Sequence, residues 1–404
     1  MPKNRSNLKS IHAMFLPMNN EIKHFSWGSY SSLSNLFGID NSSHQPQAEI
    51  WMGAHPNGCS TVLINGQITN ISTLIEQDKA LFLGENIAKI FGQLPYLFKV
   101  LAADKALSIQ VHPNKLQAQQ GFERENTLGI NLTAKNRNFK DKNHKPELVY
   151  ALTEYQAMNG FRPISDIIRN FLLLEIAELS ELIYDLVTNQ TSQGLAIFCT
   201  ALLSLDGQQK STVLAKLLHS VNKTSESTCL VILDLAKQHS DDLGLFTPLL
   251  LNVITLNPGE AMYLDAQTPH AYLKGTGLEI MANSDNVLRA GLTDKYIDIK
   301  ELIACTLFDK KPVDSLLLTP IIDNNILHYP IPVADFKFAI IQHANQHDIS
   351  IQGAEILLAL DHSMLLTHKN GESCKIKKGQ SVFVPAYAEH YAISSKGRVA
   401  RAYN

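Results

Sequence analysis

The 404-residue sequence has no apolar run near the roughly 18 residues that a transmembrane helix requires. Its N-terminal segment, MPKNRSNLKSIHAMFLPMNN, has an apolar stretch before Pro17 that is too short for a secretory signal. These two absences favour a cytoplasmic protein without a membrane span. Low-complexity stretches are also absent, and 45% hydrophobic with 18% charged residues is typical of an ordinary globular protein.

Cysteine and net charge are also low. The five cysteines lie far apart, their number is odd and no C-x-x-C pair occurs, which argues against a disulfide framework and against a thiolate zinc site. A formal net charge of only −3 gives no basic field for nucleic acid or an anionic membrane. We therefore expect a small-molecule partner and neither nucleic acid nor membrane. The oligomeric state stays open, and a monomer is compatible with the composition.

Residues 48–160 show the pattern of short strands separated by turns. The segment STVLINGQITNIS predicts a hairpin with Asn65 and Gly66 at its tip. One helical insert is expected in this part of the chain, around residues 71–91. This part is therefore predicted to be a β domain with a small helical insertion.

The pattern changes between Ile164 and about His239. Segments such as FLLLEIAELSELIYDLV and STVLAKLLHSV place apolar residues three and four positions apart, which predicts a helical block. After Leu243 the strand pattern returns and continues to the end. The predicted fold is mainly β with an inserted helical block. We predict a discontinuous catalytic domain (1–160 and 245–312), a helical domain (161–244) and a C-terminal domain (313–404).

An internal repeat links two late segments, LNPGEAMYLDAQTPHAYLKG and IKKGQSVFVPAYAEHYAISSKG. Each has a glycine turn, a strand, a small residue at a bend and a histidine at the same offsets. Repeated strand modules of this kind suit the double-sheet jelly roll of cupins, so two cupin-like domains are predicted. The matched pairs are Gly259 and Gly379, Tyr263 and Phe383, Ala266 and Ala386, and His270 and His390.

Four polar residues form a candidate metal site. Gln110 and His112 lie two residues apart in KALSIQVHPNK, so a strand there would place both on one face. Glu147 opens another strand-like run, and His270 comes from the repeat. Two imidazoles, one carboxylate and one amide oxygen suit zinc. The alternative is that these are ordinary hydrogen-bonded residues, since a single histidine on a strand is more often structural than a ligand.

Charged residues accompany these four in segments that otherwise have the composition of a barrel interior. Buried charges seldom serve stability, because pairing offsets their desolvation only in part. They therefore indicate a binding or catalytic site, although a salt-bridged surface of a half-exposed sheet is the alternative. The residues are Lys99, Lys145, Glu279, Asp285, Arg289 and Lys295.

An ordered series of segments closely resembles the type I mannose-6-phosphate isomerases of the cupin superfamily. The series comprises HFSWGSY, AEIWMGAHPNG, FKVLAADKALSIQVHPNK, NFKDKNHKPELVYALTEYQAMNGFRP and GEAMYLDAQTPHAYLKGTGLEIMANSDNVLRAGLTDKY. It extends from about residue 24 to 300, and the late GQSVFVPA is similar to the family's C-terminal domain. The helical block and residues 315–375 carry little of the resemblance.

The resemblance implies a zinc-dependent enzyme that interconverts mannose 6-phosphate and fructose 6-phosphate. It implies one zinc ion per chain, held by the glutamine and histidine of QVHP, the glutamate of HKPE and the histidine of PHAY. It also implies an arginine in VLRAG, here Arg289, and a lysine in HKPE, here Lys145, beside the sugar. The implied metal ligands are Gln110, His112, Glu147 and His270.

This isomerisation moves protons between C1 and C2 and between their oxygens through an enediol-type intermediate. Arg289, always protonated and planar, suits stabilisation of the developing negative charge. The sequence leaves the proton carrier open and suggests several groups for the phosphate. The candidate proton carriers are Lys145, His144, Glu279, Asp285 and Tyr272, and the candidate phosphate ligands are Ser108, Lys99 and Lys295.

Two other functions are compatible with a cupin barrel. A metal oxygenase would normally have more histidine ligands and an apolar pocket, whereas this chain has a glutamine ligand with lysine and arginine nearby. A binding or storage protein would not need the full set of ligands together with Arg289 and Lys145. His390 has no acidic or Q-x-H partner in residues 315–404, so we expect a metal-free C-terminal barrel.

Overall fold

The computed structural model describes residues 13–404. Residues 1–12, which form part of the predicted non-secretory N-terminus, lie outside the described residues. Within 13–404, no helix combines the length and the apolar character that crossing a bilayer requires. The described chain divides into two compact units. Unit 1 comprises residues 13–101, Leu278–Asn283 and Thr319–Asn404, and unit 2 comprises Ala102–Gly277 and Ser284–Leu318.

The unit boundaries are drawn differently from the predicted domain boundaries. The helical block lies in unit 2, together with the strands on both sides of it. Residues 13–101 belong to unit 1, together with the C-terminal segment from Thr319. The division into three domains stays a prediction.

Strands occupy the chain before and after the helical block, which confirms the predicted fold class. The N-terminal strands are β1 (Leu16–Asn19), β2 (Glu21–Lys23), β3 (Glu49–Gly53), β4 (Thr61–Ile64), β5 (Gln67–Asn70), β6 (Tyr96–Ala103), β7 (Ile109–Val111), β8 (Glu147–Ala151) and β9 (Tyr155–Phe161). The central strands are β10 (Leu251–Leu256), β11 (Ala261–Leu264), β12 (His270–Ala282) and β13 (Leu288–Gly291). The C-terminal strands are β14 (Ile321–Asp323), β15 (Ile326–Tyr329), β16 (Lys337–Ile341), β17 (His347–Ser350), β18 (Glu355–Ala359), β19 (Met364–Thr367), β20 (Ser373–Ile376), β21 (Ser381–Val384), β22 (His390–Ser395) and β23 (Val399–Tyr403).

The helices confirm the predicted insert and the predicted block. The early helices are α1 (Ser32–Phe37), α2 (Ile71–Gln77), α3 (Lys79–Leu83), α4 (Glu85–Phe91) and α5 (Lys115–Thr127). The block contains α6 (Ile164–Leu172), α7 (Ser180–Thr188), α8 (Ser192–Leu203), α9 (Gly207–Val221) and α10 (Ser227–Ala236). Two later helices are α11 (Thr247–Leu250) and α12 (Ile299–Cys305).

The expectation that strands fill the chain around the predicted insert and after Leu243 was too simple, because it omitted α5, α11 and α12. Helix α5 is polar and mostly exposed, so it shows no apolar period. Its start is fixed by a capping box in which Asn114 and Gln117 satisfy each other's backbone N–H groups.

The predicted hairpin is confirmed, since β4 pairs with β5 through a turn in which Asn65 and Gly66 both have positive φ.

In unit 2, the sheet has two faces with different chemistry. Strand β12 pairs with β9, β7 and β8, while β10 flanks β9, β13 flanks β7 and β11 flanks β8. Ala271 and Leu273 of β12 are buried in an apolar core with the helical block. Since successive strand residues point to opposite faces, His270 and Tyr272 lie on the other face. The apolar core of the helical block therefore packs on one face of the sheet, and the polar residues lie on the opposite face.

Unit 1 contains a nine-stranded sheet in the order β14-β15-β16-β23-β18-β21-β1-β4-β5 and a four-stranded sheet in the order β17-β22-β19-β20. An apolar core is formed between them by residues such as Leu357, Leu366 and Ile393. The sequence repeat is reproduced in three dimensions, since β12 begins at His270 and β22 begins at His390.

A buried ion pair lies within unit 1. Glu355 on β18 is 1% exposed and Arg401 on β23 is 7% exposed. The Arg401 Nε donates to the Glu355 Oε2 at 2.9 Å, and the Tyr391 hydroxyl donates to the same oxygen at 2.9 Å. The guanidinium also lies over the Tyr403 ring, 4.0 Å from its centroid. Both charges are therefore fully partnered without water.

Replacing Arg401 by alanine should lower the free energy of unfolding by about 3–5 kcal/mol, because the Glu355 carboxylate would stay buried without a cation. Urea unfolding measures this change. The matched control is Arg398→Ala, which removes a partly exposed pair with Asp361 and should lower the free energy by about 0–1 kcal/mol. Equal effects of the two substitutions would contradict this account of the buried pair.

Candidate metal centre

Three buried side chains of unit 2 converge at the ends of their strands. His112 directly follows β7, Glu147 opens β8 and His270 opens β12. Their exposed fractions are 1%, 2% and 2%. One ligand atom from each lies within 4.8 Å of the other two. This arrangement can hold a metal ion.

The hydrogen bonds of the two histidines fix which nitrogen faces the centre. The His112 Nδ1 lies 2.7 Å from the Asn286 carbonyl oxygen, and the His270 Nδ1 lies 2.9 Å from the Thr268 carbonyl oxygen. A carbonyl oxygen only accepts, so each Nδ1 carries the proton and each neutral ring presents the lone pair of its Nε2. Both Nε2 atoms therefore point a lone pair at the same carboxylate.

Those lone pairs face Glu147 at short distance. The His112 Nε2 is 3.2 Å from Oε1, and the His270 Nε2 is 3.5 Å from Oε2. Among residues 13–404, the buried His112 Nε2 has no hydrogen-bond partner. Acceptors that face one another repel unless a cation lies between them, so the donor set of the centre fits a metal ion.

The protonation states also suit metal binding. Burial, followed by the nearby Lys145 charge, lowers the pKa of His112 to about 4. Burial alone would raise the pKa of Glu147, but the nearby Lys145 charge opposes it, and that pKa lies well below its usual range. The centre therefore presents a neutral His112 and an ionised carboxylate, which are the forms that ligate metals.

Gln110 lies beside this centre. In the strand register it is opposite His270 on one side and opposite Arg289 on the other. Directly opposed residues of antiparallel strands share a face, so the amide is on the same face as His270. Its Nε2 lies 3.2 Å from the Ser108 hydroxyl oxygen. This hydrogen bond uses the amide N–H, so its carbonyl oxygen suits the role of a fourth ligand.

Lys145 and Tyr272 both contact Glu147. The Lys145 Nζ is 3.0 Å from Oε1, and the Tyr272 hydroxyl donates to Oε2 at 2.6 Å. His144, the residue before Lys145, is half-buried. The backbone N–H of Asp285, which is also half-buried, donates to Asp141 at 2.7 Å. The structure therefore places Lys145 and Tyr272 at the centre itself.

Arg289 and Lys295 form a cationic cluster near β13. Arg289 lies on β13, is half-buried and has a pKa lowered by burial. The pKa of Lys295 is lowered chiefly by burial, and further by the positive charges of Arg289 and Lys140. Within residues 13–404, the guanidinium of Arg289 and the ammonium of Lys295 form no ion pair. Such a cluster favours binding of an anion.

Lys99 and Glu279 belong to unit 1, where they contact each other. The Lys99 Nζ donates to Glu279 at 2.7 Å and lies 3.8 Å from Glu49. The Trp51 indole N–H donates to Glu49 at 2.5 Å, and Lys99 also lies over the indole ring. Lys99, a candidate phosphate ligand in the sequence, is thus held by two carboxylates of the protein.

Comparisons with known proteins identify the family. A model described as the catalytic domain of type I phosphomannose isomerase matches residues 15–164, and a model of the mannose-6-phosphate isomerase cupin domain matches residues 325–404. The mannose-6-phosphate isomerase of Escherichia coli is 45% identical over 387 residues, covering 95% of this chain and 98% of that protein. The chain belongs to the type I phosphomannose isomerase family. The resemblance found in the sequence is therefore confirmed.

Solved structures of the family have the same fold. A zinc-bound mannose 6-phosphate isomerase matches with a TM-score of 0.93 at 44% identity, covering 97% of this chain and 100% of that chain. A mutant phosphomannose isomerase from Salmonella typhimurium matches with the same TM-score, identity and coverage. These matches confirm the predicted cupin-type fold.

Sequence reasoning missed the role of Asn286. This residue is fully buried, and its backbone carbonyl orients His112. Its side-chain Oδ1 accepts from the Lys140 N–H at 2.6 Å, and its Nδ2 donates to the carbonyls of Asp141 at 2.8 Å and Asn143 at 2.9 Å. A neutral amide gives no charge signal, so its only sequence signal is its place in SDNVLRAGLT.

Substituting Asn286 with alanine should loosen the loop that precedes Lys145, because the Lys140 and Asp141 amides lose their acceptor. The lost hydrogen bonds correspond to about 1–3 kcal/mol, so hydrogen exchange of these two amides should accelerate about tenfold or more. Asn131→Ala, which removes an exposed loop acceptor, should leave both rates unchanged. Unchanged exchange in Asn286→Ala would show that the side chain does not hold the loop.

Proposed function

We propose that the chain is a zinc-dependent isomerase that interconverts mannose 6-phosphate and fructose 6-phosphate, with one zinc ion per chain. The observation that carries this proposal is the pair of imidazole lone pairs that face an ionised, buried carboxylate. Family membership and the zinc-bound structure of a related isomerase support the substrate and the metal. The proposed ligands are Gln110, His112, Glu147 and His270.

Zinc in this site would supply a Lewis acid that polarises the sugar oxygens, and one carboxylate with three neutral ligands would leave a formal charge of about +1. Arg289 lies opposite Gln110 in the register. Its fixed charge and planar donors suit the edge formed by O1 and O2 of the sugar, where negative charge develops. Arg289 is therefore assigned to the reacting end of the substrate.

The reaction removes the proton from C2, returns a proton to C1 and moves another between O1 and O2, through an enediol-type intermediate. The proton carrier must lie within hydrogen-bond reach of these atoms. Lys145 and Tyr272 are supported by their direct contacts with Glu147. His144, Asp285 and Glu279 complete the set of candidates for this role.

The phosphate of the substrate carries close to two negative charges and requires cations and hydroxyls. We assign it to Lys295 and Ser108, with Lys99 as a further candidate. The support for Lys295 is its position in the cationic cluster with Arg289 and Lys140. Holding the phosphate would also orient C1 and C2 for the chemical step.

A cytoplasmic location is part of this proposal. All five cysteines are free in the described structure. Free thiols persist in a reducing compartment. An assay of the metal-stripped and the zinc-restored protein distinguishes the proposed isomerase from the two alternative functions. An oxygenase would consume oxygen, and a binding protein would show no turnover of mannose 6-phosphate.

His270→Ala should remove both the zinc and the isomerase activity, because it deletes one imidazole and leaves Glu147 with a single histidine partner. Elemental analysis of the purified variant measures the zinc, with circular dichroism to confirm folding. His390→Ala is the matched control at the corresponding position of the C-terminal barrel and should keep a full zinc content. Full zinc retention in His270→Ala, or zinc loss in His390→Ala, would overturn the ligand assignment.

Arg289→Ala and Lys295→Ala should separate in steady-state kinetics with mannose 6-phosphate. Loss of a donor that acts mainly in the transition state should lower kcat about a hundredfold or more with a modest change in KM. Loss of a phosphate contact, which substrate and transition state share, should mainly raise KM. If Arg289→Ala keeps its kcat and loses only affinity, the two roles must be exchanged.

A further inference from the structure

A half-buried lysine outside the proposed ligand set contacts two strands that lie next to metal ligands. Lys311 follows the central strands, in the segment that leads out of unit 2. Its Nζ donates to the Asn159 Oδ1 at 2.8 Å and to the Tyr263 carbonyl oxygen at 2.9 Å. Both acceptors are neutral, and no carboxylate of residues 13–404 forms an ion pair with this ammonium. Neither the sequence motifs nor the proposed mechanism uses this residue.

The two acceptors belong to different strand pairs. Asn159 is on β9 and is fully buried, and it lies directly opposite His270 in the register of β9 and β12. Tyr263 is on β11, where the next residue, Leu264, lies directly opposite Glu147 on β8. Lys311 therefore connects the strand pair that carries His270 to the strand pair that carries Glu147.

Lys311 makes this connection at a level where the sheet has no main-chain pairing between His270 and Glu147. Strand β8 also pairs with β12, but at His270 the strand partners of β12 are Gln110 on β7 and Asn159 on β9. The main-chain ladder at this level therefore does not hold His270 against Glu147. The hydrogen bonds of Lys311 supply a tie between their two supporting strands. A longer hydrogen bond of 3.4 Å, from the Asn159 Nδ2 to the Tyr263 carbonyl oxygen, lies beside it.

The stem of Lys311 also contacts the chain next to His270. A Cβ on Gly160 would lie 2.7 Å from the Lys311 Cβ, so the lysine stem packs directly on this glycine. Gly160 has a φ of +69°, and its N–H donates to the Pro269 carbonyl oxygen at 2.9 Å. Pro269 immediately precedes His270. The same side chain thus supports the backbone on which the ligand begins.

A half-buried ammonium that forms no ion pair within residues 13–404 is a cost to stability. Burial lowers the pKa of Lys311 to about 8, and Asp265 opposes this shift only in part. A methionine would fill a similar volume without a charge, and replacing buried charges by apolar residues is often neutral or stabilising. Stability of the fold therefore does not account for a lysine here, whereas a role in ligand geometry does.

We propose that Lys311 is a positioning residue that fixes the separation of the metal ligands His270 and Glu147. The inference rests on the proposed zinc site and adds a residue that touches neither metal nor substrate. Metal sites require their ligands within a few tenths of an ångström of the preferred geometry. Release of the tie between β9 and β11 should therefore weaken metal binding more than it weakens the fold.

The test measures the dissociation constant of Zn²⁺ from the full-length protein, by competition with a chromophoric chelator after metal removal. Lys311→Met should raise this constant about 10–100-fold, as for other residues that orient metal ligands. Its metal-free melting temperature should stay close to that of the wild type. Lys311→Arg, which keeps a charged donor, should show a smaller rise. Lys310→Met, at the exposed neighbouring residue, should leave the dissociation constant unchanged.

Should Lys311→Met fold poorly, Asn159→Ala carries the test, because it keeps the lysine and deletes its acceptor, together with the longer Asn159 Nδ2 contact to the Tyr263 carbonyl oxygen. It should raise the zinc dissociation constant in the same range. Wild-type affinity in folded Lys311→Met or Asn159→Ala, or an equal rise in Lys310→Met, would overturn the positioning role and leave the zinc site intact. Absence of stoichiometric zinc binding by the wild type would overturn the proposed function together with this inference.

Discussion

Two imidazole lone pairs directed at one buried carboxylate are the constraint on which the rest of this structure depends. The arrangement is unfavourable without a cation, because acceptors on buried side chains face each other at 3.2 and 3.5 Å. The protein holds it through fixed hydrogen bonds. Backbone carbonyls orient both rings, and Lys145 and Tyr272 hold the carboxylate. These hydrogen bonds therefore fix the orientation of the ligand side chains from the protein side.

The strand alternation of unit 2 makes this possible. Gln110 of β7 faces the centre, while its neighbours Ile109 and Val111 are buried in apolar clusters behind the sheet. Ala271 in β12 is buried in the same way next to His270. The helical block packs behind the sheet and buries its apolar face, which stabilises the fold. The opposite face carries the polar ligand residues, whose burial costs free energy.

Much of the fold could be predicted from the sequence. The hairpin at Asn65, the helical block and the repeat that ends at His270 and His390 all carry local signals of turn chemistry or periodicity. Helices α5 and α12 could not be predicted from periodicity, because exposed or short helices lack an apolar stripe. The mainly β class with a helical insertion thus followed from local patterns alone.

The candidate site could be predicted only in part. Ordered motifs brought Gln110, His112, Glu147 and His270 together, and the structure places three of them within ligand distance. The partners of Lys99 could not be predicted, since Glu279 is 180 residues away in the chain. Asn286 and Lys311 were missed for a related reason, because their function depends on contacts with distant backbone and amide groups.

The most direct measurement of the central claim is anomalous diffraction at the zinc edge from crystals of the zinc-loaded protein. The account predicts one peak per chain in unit 2, about 2.0–2.1 Å from the Nε2 atoms of both histidines and about 2.0–2.2 Å from a Glu147 oxygen. Zinc bound through an Nδ1 atom would contradict the tautomers on which the account depends. A principal peak elsewhere, such as at His390, would contradict the centre itself.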